Sequence, residues 1–448
     1  MSWSRPGLGV GVIVTTGLDL LWEGIGDLVD VVEVEPQTMW RPRPDGGWDL
    51  LEPAFRWVED LGIPALVHGI GFPVGGCEPP DPAAVALTAR CAARLGAAHW
   101  SEHLSFTRVR RDGCDLDVGF LLPPAQTPAG VALAATHVAA YQRAADLPFL
   151  VETGVNYLRP RAGDLPDGAF IAGVAERADC GILLDLHNLL TNERNGRQPV
   201  DAVLAALPLD RVLEVHVAGG FELAGYYLDA HVGGPDEELL ELTGRVLPTL
   251  PNVRAVLFEA VPESLVTLGV PGVRAVLTGL HRICERPRPH TAGPQYRDPA
   301  DGSPANGGAG GPSAGLDAPP VPAGPAAEPD EADLTATWER EQALAAYTAQ
   351  VPGGRPGEDP GYDLLRLLAS EARRGELMLA RPEVLGRLLA ALGRDAVQQL
   401  LDDYLVACPP RRWLEQEGTQ FTSWLVTARP DLLPLAGLAA VRDATPRT

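Results

Sequence analysis

Apolar residues in this chain gather in short continuous runs instead of alternating with polar ones. The runs are 8–14 (LGVGVIV), 29–35 (VDVVEVE), 63–69 (IPALVHG), 97–104 (AAHWSEHL), 147–153 (LPFLVET), 180–188 (CGILLDLHN), 211–219 (RVLEVHVAG) and 252–260 (NVRAVLFEA). Unbroken apolarity over five to nine residues is the mark of parallel strands covered on both faces. Between them the spacing changes to three and four, as in 81–96 and 127–145, which predicts helices. Eight strand-then-helix repeats in residues 1–285 predict an α/β chain, a (β/α)8 TIM barrel. A doubly wound open sheet is the competing arrangement. It would place a Gly-rich loop between its first strand and helix. GLGVGV lies inside the first strand, so the barrel is preferred.

The pattern then breaks. Residues 286–332 are dominated by Pro, Gly, Ala and Ser, and cannot bury enough apolar surface to offset their ordering entropy. They are expected to form a disordered linker between the barrel and a third segment, 333–448. That segment returns to helical spacing in ATWEREQALAAYTAQV, YDLLRLLASEARR, PEVLGRLLAALGRDAVQQLLDDYLVA and TQFTSWLVTA, and predicts a small all-α domain. It contains no His and one Cys, which makes it a poor place for metal chemistry.

Composition narrows the function. The 448 residues carry a formal charge of −23, and all 36 basic residues are Arg. Such acidity argues against nucleic acid and against an anionic membrane surface as partners. No run approaches the roughly 18 apolar residues of a membrane-spanning helix. The first residues lack a signal-peptide pattern, and six Cys are scattered without close pairing. A cytoplasmic protein with reduced thiols is expected.

Polar residues interrupt the apolar runs at one place, their C-terminal ends. These are Glu33 and Glu35, His68, Glu102 and His103, Glu152, then Asp185, His187 and Asn188, His216, and Glu259, with Asp229 and His231 in the loop after the seventh run. In a (β/α)8 barrel those ends converge on one mouth. A single strand-end His is as often a hydrogen-bonded structural residue. Six consecutive strands ending in His, Asp or Glu are not explained by packing. Carboxylates gathered there would repel, and the chain has no Lys to neutralise them, so bound cations are the simplest remedy. The set His68, His103, Glu152, Asp185, Asn188, His216, Asp229, His231 and Glu259 exceeds the needs of one ion and implies two or three. Its N/O chemistry suits Fe, Mn or Zn. Glu33, Glu35 and Glu102 are read as neighbours that orient ligands or substrate; one of Glu33 and Glu35 is expected to face the mouth. His187, two residues after Asp185, could also face in, and its place beside the ligands and not among them is what the resemblance below implies. His99 and His137 are read as structural. Ligand chemistry alone leaves hydrolysis, isomerisation and oxygen activation open.

The ordered series HGIG (68–71), SEHLSF (101–106), VETGVNY (151–157), LLDLHN (183–188), EVHVAGG (214–220) and DAH (229–231) resembles the multinuclear non-heme iron-dependent oxidases, the family of the methanobactin biosynthesis oxidase. The resemblance covers about residues 8–283. It implies a TIM barrel holding two or three irons of mixed valence by the nine residues named above. It implies O2 as co-substrate and a ribosomally made precursor peptide, modified at Cys by removal of hydrogen from the β-carbon. Departures fall beside the ligands. Thr153 follows Glu152 where the family has Asn, Gln37-Thr38 stands for Glu-Asn, His187 lies between Asp185 and Asn188, and Gly220 replaces a final His. The segment 403–411, DYLVACPPR, with Phe421 and Trp424, is similar to helical partner proteins of these oxidases. That implies a partner fused in cis, presenting the peptide. A helical appendage for stability is the plain alternative. The competing functions are a metal-dependent hydrolase or isomerase of the xylose isomerase/endonuclease-like barrel class, and a non-catalytic peptide-binding protein.

Overall fold

The computed structural model describes residues 7–43, 47–111, 113–285 and 329–438. Eight parallel strands close into a barrel: β1 (Gly9–Val14), β2 (Val31–Val34), β3 (Ala65–Gly69), β4 (Trp100–His103), β5 (Phe149–Glu152), β6 (Gly181–Asp185), β7 (Val212–Ala218) and β8 (Ala255–Glu259). Neighbours in sequence are neighbours in space, and β8 closes on β1 with Gly9 opposite Ala255. Each strand lies within one of the eight apolar runs. The (β/α)8 expectation holds.

Helices wrap the outside, and their starts follow from capping. Asp81 opens α1 (Pro82–Leu95) by accepting from Ala83 N at 2.9 Å, and Thr127 opens α2 (Pro128–Ala144) by accepting from Gly130 N at 3.0 Å. Each cap contributes about 1 kcal/mol. Asp185 plays the same part for α3 (Leu186–Arg194), accepting from Asn188 N at 2.8 Å. The sixth strand therefore ends at Asp185. His187 and Asn188 stand on the first helical turn and not at a strand end, because the Asp185 carboxylate satisfies the first free helix N–H groups.

Three hairpins rise from the C-terminal ends of the strands, where a plain strand–helix alternation was expected. They are Trp40–Pro42 with Trp48–Leu50, Phe106–Arg111 with Cys114–Leu122, and Gly220–Leu223 with Tyr226–Asp229. The C-terminal helices dock on this mouth side. From α4 (Glu331–Thr348) and α5 (Gly361–Ala380), Leu344, Ala345, Tyr362 and Leu365 share one apolar cluster with Phe106, Val109, Leu122, Tyr157 and Leu228 of the barrel loops. The remaining helices, α6 (Pro382–Leu392), α7 (Arg394–Ala407) and α8 (Leu414–Ala428), build their own core around Leu388, Leu401, Tyr404 and Phe421. Gly393, at φ 82°, splits α6 from α7 where the pattern read as one helix. α4 starts at Glu331, inside the segment read as linker, because Asp330 caps it through Asp333 N at 2.8 Å. The rest of that expected linker, 286–328, lies outside the described residues.

Candidate metal centre

Residues two apart on a strand share a face, so the lumen is built in layers. Val31, Leu66, Ala255 and Leu257 form a small apolar floor. Two positions further on the same strands stand Glu33, His68 and Glu259. The same step leads from Ser101 to His103 on β4 and from Glu214 to His216 on β7. A polar layer thus sits directly on the floor, at the end of the barrel where such folds hold their active sites.

Imidazoles and carboxylates touch one another throughout that layer. Glu152 Oε2 lies 3.0 Å from His103 Nε2 and 3.4 Å from His68 Nε2, with the two rings 4.6 Å apart. Glu152, Asp185 and His216 form a second group whose ligand atoms lie within 4.8 Å of one another. His216 Nδ1 is 3.3 Å from Glu259 Oε2. The other oxygen, Glu259 Oε1, is 3.0 Å from His231 Nδ1, and His231 Nε2 is 2.8 Å from Asp229 Oδ1. Glu152 and Glu259 therefore each join two groups, and eight of the nine residues form one continuous cluster. Asn188 aims its free Oδ1 from the first turn of α3 beside Asp185, its Nδ2 being held by the Thr153 carbonyl at 3.2 Å.

These contacts do not behave as hydrogen bonds. Glu152 Oε2, Asp185 Oδ2, Asn188 Oδ1, Asp229 Oδ1, His216 Nδ1 and His231 Nε2 are buried and make none. Two neighbouring imidazoles are turned from outside the cluster. His68 Nδ1 meets Ser101 Oγ at 2.8 Å, and His103 Nδ1 meets the Gly69 carbonyl at 3.0 Å. A carbonyl only accepts, so His103 Nδ1 carries a proton and, in the neutral ring, Nε2 presents a lone pair towards Glu152. A lone pair facing a carboxylate, both desolvated, calls for a cation between them. Nitrogen and oxygen donors without a thiolate fit Fe, Mn or Zn. His231 stands at φ 53°, a left-handed conformation that costs a non-glycine residue about 1 kcal/mol or more.

The electrostatics agree. Burial, then the charges of Glu152 and Asp229, push Asp185 well above the usual carboxylate range. Burial would also raise Glu152 and Glu259, but the imidazoles of His103 and His68, and of His231 and His216, overcome it and hold both below that range. Burial opposes protonation of His216, yet the carboxylates of Glu33, Glu214 and Glu259 around its ring raise it. A bound cation replaces the protons that these imidazoles otherwise collect.

The accessory residues divide. Both Glu33 and Glu35 lie against the cluster, contrary to the expectation of one: Glu33 stands on β2, and Glu35 caps the turn Pro36–Met39 just past the strand's end. Glu33 Oε1 lies 3.1 Å from His216 Nε2, and burial, then the Glu214 charge, push its carboxyl up to about 7. Glu35 is raised by burial and then by the Glu259 charge. Glu102 lies behind His103: Oε1 accepts from His103 N at 3.0 Å and is 3.4 Å from His103 Nδ1, while Oε2 accepts from Phe72 N at 3.3 Å and from the Tyr141 hydroxyl at 3.4 Å. His187 Nε2 is 3.6 Å from Asp229 Oδ1, beside the cluster. His137 bonds the Val74 carbonyl in a structural role. His99 is buried in the lumen and pairs with Glu214 at 2.9 Å. Glu214, Ser101 and Tyr157, whose hydroxyl accepts from Asp229 N at 3.0 Å, were not singled out from the sequence. Glu214 was within reach, since it stands two before His216 and so shares its face.

The sequence model described as RiPP precursor modification enzyme MbnB/TglH/ChrH matches residues 26–263, just over half of the chain. The chain belongs to this family. The match contains every residue of the polar layer. Curated relatives of the MbnB/TglH/ChrH chain described here are UPF0276 proteins. One, of Chromobacterium violaceum, is 34% identical over 176 residues, 39% of this chain and 62% of the relative. Another, of Streptomyces avermitilis, is 32% identical over 187 residues, 40% of this chain and 38% of the relative. This chain thus spans less than two thirds of the length of either of these relatives. Among solved structures, a xylose isomerase domain protein from Planctomyces limnophilus is similar at TM-score 0.41 and 14% identity, covering 63% of this chain and 98% of that one. Endonuclease IV from Thermus thermophilus is similar at TM-score 0.40 and 18% identity, covering 61% and 99%.

Proposed function

We propose that this MbnB/TglH/ChrH family member is an iron- and O2-dependent oxidase that modifies a ribosomally made precursor peptide at Cys. The observation that carries the reading is the buried cluster of carboxylates and imidazoles from His68 to Asp229, in which Glu152 Oε2, Asp185 Oδ2, His216 Nδ1, Asp229 Oδ1 and His231 Nε2 lack hydrogen-bond partners. His68, His103, Glu152, Asp185, Asn188, His216, Asp229, His231 and Glu259 would hold two or three ions. Iron there would supply binding of a thiolate and activation of O2, whose four-electron reduction balances a four-electron oxidation of the peptide.

The chain's own residues do the positioning. Ser101 and the Gly69 carbonyl turn the two imidazoles of the first group. Thr153 Oγ1 accepts from Asp185 N at 2.9 Å while its carbonyl holds Asn188, so one residue fixes two ligands. The absence of a protein thiolate leaves the soft ligand to the substrate. α4 and α5, docked on the mouth side, are the part of the C-terminal domain suited to presenting the peptide there.

The test is expression with iron supplementation, metal analysis, and mass spectrometry of the Cys-containing peptide encoded beside this chain after co-expression. Two or more irons per chain and a peptide mass lowered by lost hydrogens, with O2 consumed, are expected. A preparation that holds only zinc and consumes no O2 with that peptide overturns the oxidase and leaves the hydrolase or isomerase.

A further inference from the structure

The hairpin that carries Asp229 has one edge satisfied and one edge open. Its strands pair Gly220 with Asp229, Phe221 with Leu228, Glu222 with Tyr227 and Leu223 with Tyr226, around a turn at Ala224 and Gly225 whose φ values of 52° and 83° are those of a tight two-residue hairpin. On the inner strand, Tyr227 turns its N–H and C=O away from the partner. The Asn195 side chain takes both, at 2.9 and 2.8 Å. Antiparallel pairs alternate between hydrogen-bonded and non-bonded. Since Tyr227 points outward, so does its partner Glu222, on the opposite edge. Among the described residues, no backbone group pairs with that edge.

The same strand is apolar where it is exposed. Phe221 and Leu223 are 44% and 40% exposed and share one face. Their cross-strand partners Leu228 and Tyr226 belong to the apolar cluster that joins the barrel loops to α4 and α5. The ledge therefore continues an interface already formed. Natural edge strands are usually blunted by charges, shortness, Pro or a bulge. Residues 220–223, Gly-Phe-Glu-Leu, are short and carry one charge, Glu222, but no Pro and no bulge, and that charge favours a basic peptide. Gly220, opposite Asp229, is two residues from Glu222, about 7 Å along the strand. A peptide paired with Glu222 passes the metal cluster within a few residues.

We propose that this edge is the docking strand for the precursor peptide, which adds as a third strand, bonds the Glu222 N–H and C=O, and lays apolar side chains on Phe221 and Leu223. This rests on the reading of the chain as a peptide-modifying enzyme and names the surface that reading lacks. Strand addition obtains affinity from the main chain and leaves the side chains free for chemistry.

The test uses the full, metal-loaded chain and a synthetic peptide of alternating Thr and Val with a central Cys and Arg at both ends, opposite in sign to the chain and to Glu222. A second peptide has alternate backbone nitrogens methylated, so that it cannot join a ladder. The first is expected to bind and to slow hydrogen exchange at the Glu222 amide; the second is not. Glu222→Pro removes the outward donor without touching the hairpin's own bonds, and is expected to weaken binding about tenfold, the worth of one hydrogen bond. Phe221→Ser with Leu223→Ser is expected to weaken it further with metal content unchanged. Equal binding of both peptides, unaltered binding by both variants, or protection elsewhere overturns the proposal. Metal and product are read separately. A chain that docks the peptide here but holds only zinc and makes no product overturns the oxidase alone. An iron-loaded chain that modifies a peptide without protecting Glu222 overturns the edge alone.

Discussion

The barrel mouth and the C-terminal helices both bury charged side chains, and they resolve the cost in opposite ways. In the helical domain, Glu417 is fully buried and each of its oxygens is used. Oε1 accepts from Arg373 Nε at 2.6 Å and from the Tyr404 hydroxyl at 2.8 Å, and Oε2 accepts from Arg411 N at 2.8 Å. At the interface, Glu341 of α4 does likewise, accepting from Cys77 N at 2.8 Å and from Ala125 N at 3.3 Å. In the mouth, Glu152, Asp185, His216 and Asp229 face one another through atoms without hydrogen bonds. A buried charge that is fully partnered belongs to the fold. A cluster of them left unpartnered on facing atoms is arranged for something that is not protein. The segment 403–411 lies on the first side of this contrast: its Tyr404 and Arg411 are partners of Glu417.

The contrast is broken or sharpened by four measurements. The largest effect is expected from metal. Iron at 100 to 1,000 times its dissociation constant should stabilise the chain by about 3–4 kcal/mol, read as a shift in thermal unfolding. His216→Ala, which removes the residue between the second and third groups, should abolish most of that shift and the peptide modification. A variant that keeps the full shift shows that the mouth is not a metal site.

Next in size, Glu341→Ala leaves the Cys77 and Ala125 N–H groups buried and unpaired. It should cost about 2–4 kcal/mol of unfolding free energy in denaturant titrations, with metal content per chain unchanged. Loss of metal in this variant would make the docked helices part of the site.

The third measurement uses pH. Burial holds the Glu341 proton, raising its carboxyl from 4.5 to about 7. The folded chain therefore binds more protons than the unfolded chain between those values, and stability falls as pH rises across that window. Glu341→Gln should remove that component, on the order of 2–3 kcal/mol between pH 4.5 and 7. Identical pH profiles for the two proteins would refute the assignment.

The smallest effect changes sign with metal. Asp185→Asn keeps the cap on α3 but removes a carboxyl that burial and its neighbours disfavour. Without metal it should be neutral or stabilising by about 1 kcal/mol at pH 7, and with iron it should be destabilising. The same sign in both states would show that Asp185 is an ordinary cap.

How much of this was legible in the sequence follows from the range of each interaction. The eight strands were visible because a strand buried on both faces must be apolar along its whole length, and the mouth residues because they are the polar ends of those runs. The hairpins were not. FTRVRRDGCDLDVGFLL mixes charges into short strands that pack on helices far along the chain, although Asp112-Gly113 is a turn signal. Glu102 illustrates a second limit. It precedes a ligand-like His103 on the same strand, and only the direction of the pleat sets it behind that ring, against Phe72 and Tyr141.

The sequence by itself determined the βα repeat, the barrel, the helical third segment and the family, because period and order are properties of the chain. It also named the polar layer, because one end of every strand in a barrel meets the others. Tertiary structure alone decided which atoms face each other, that Glu152 and Glu259 are each shared between two groups, that Glu33 and Glu35 both lie against the cluster, and that α4 and α5 lie on the mouth side. Those depend on the closure of β8 on β1 and on contacts between residues more than a hundred positions apart, which no local pattern encodes.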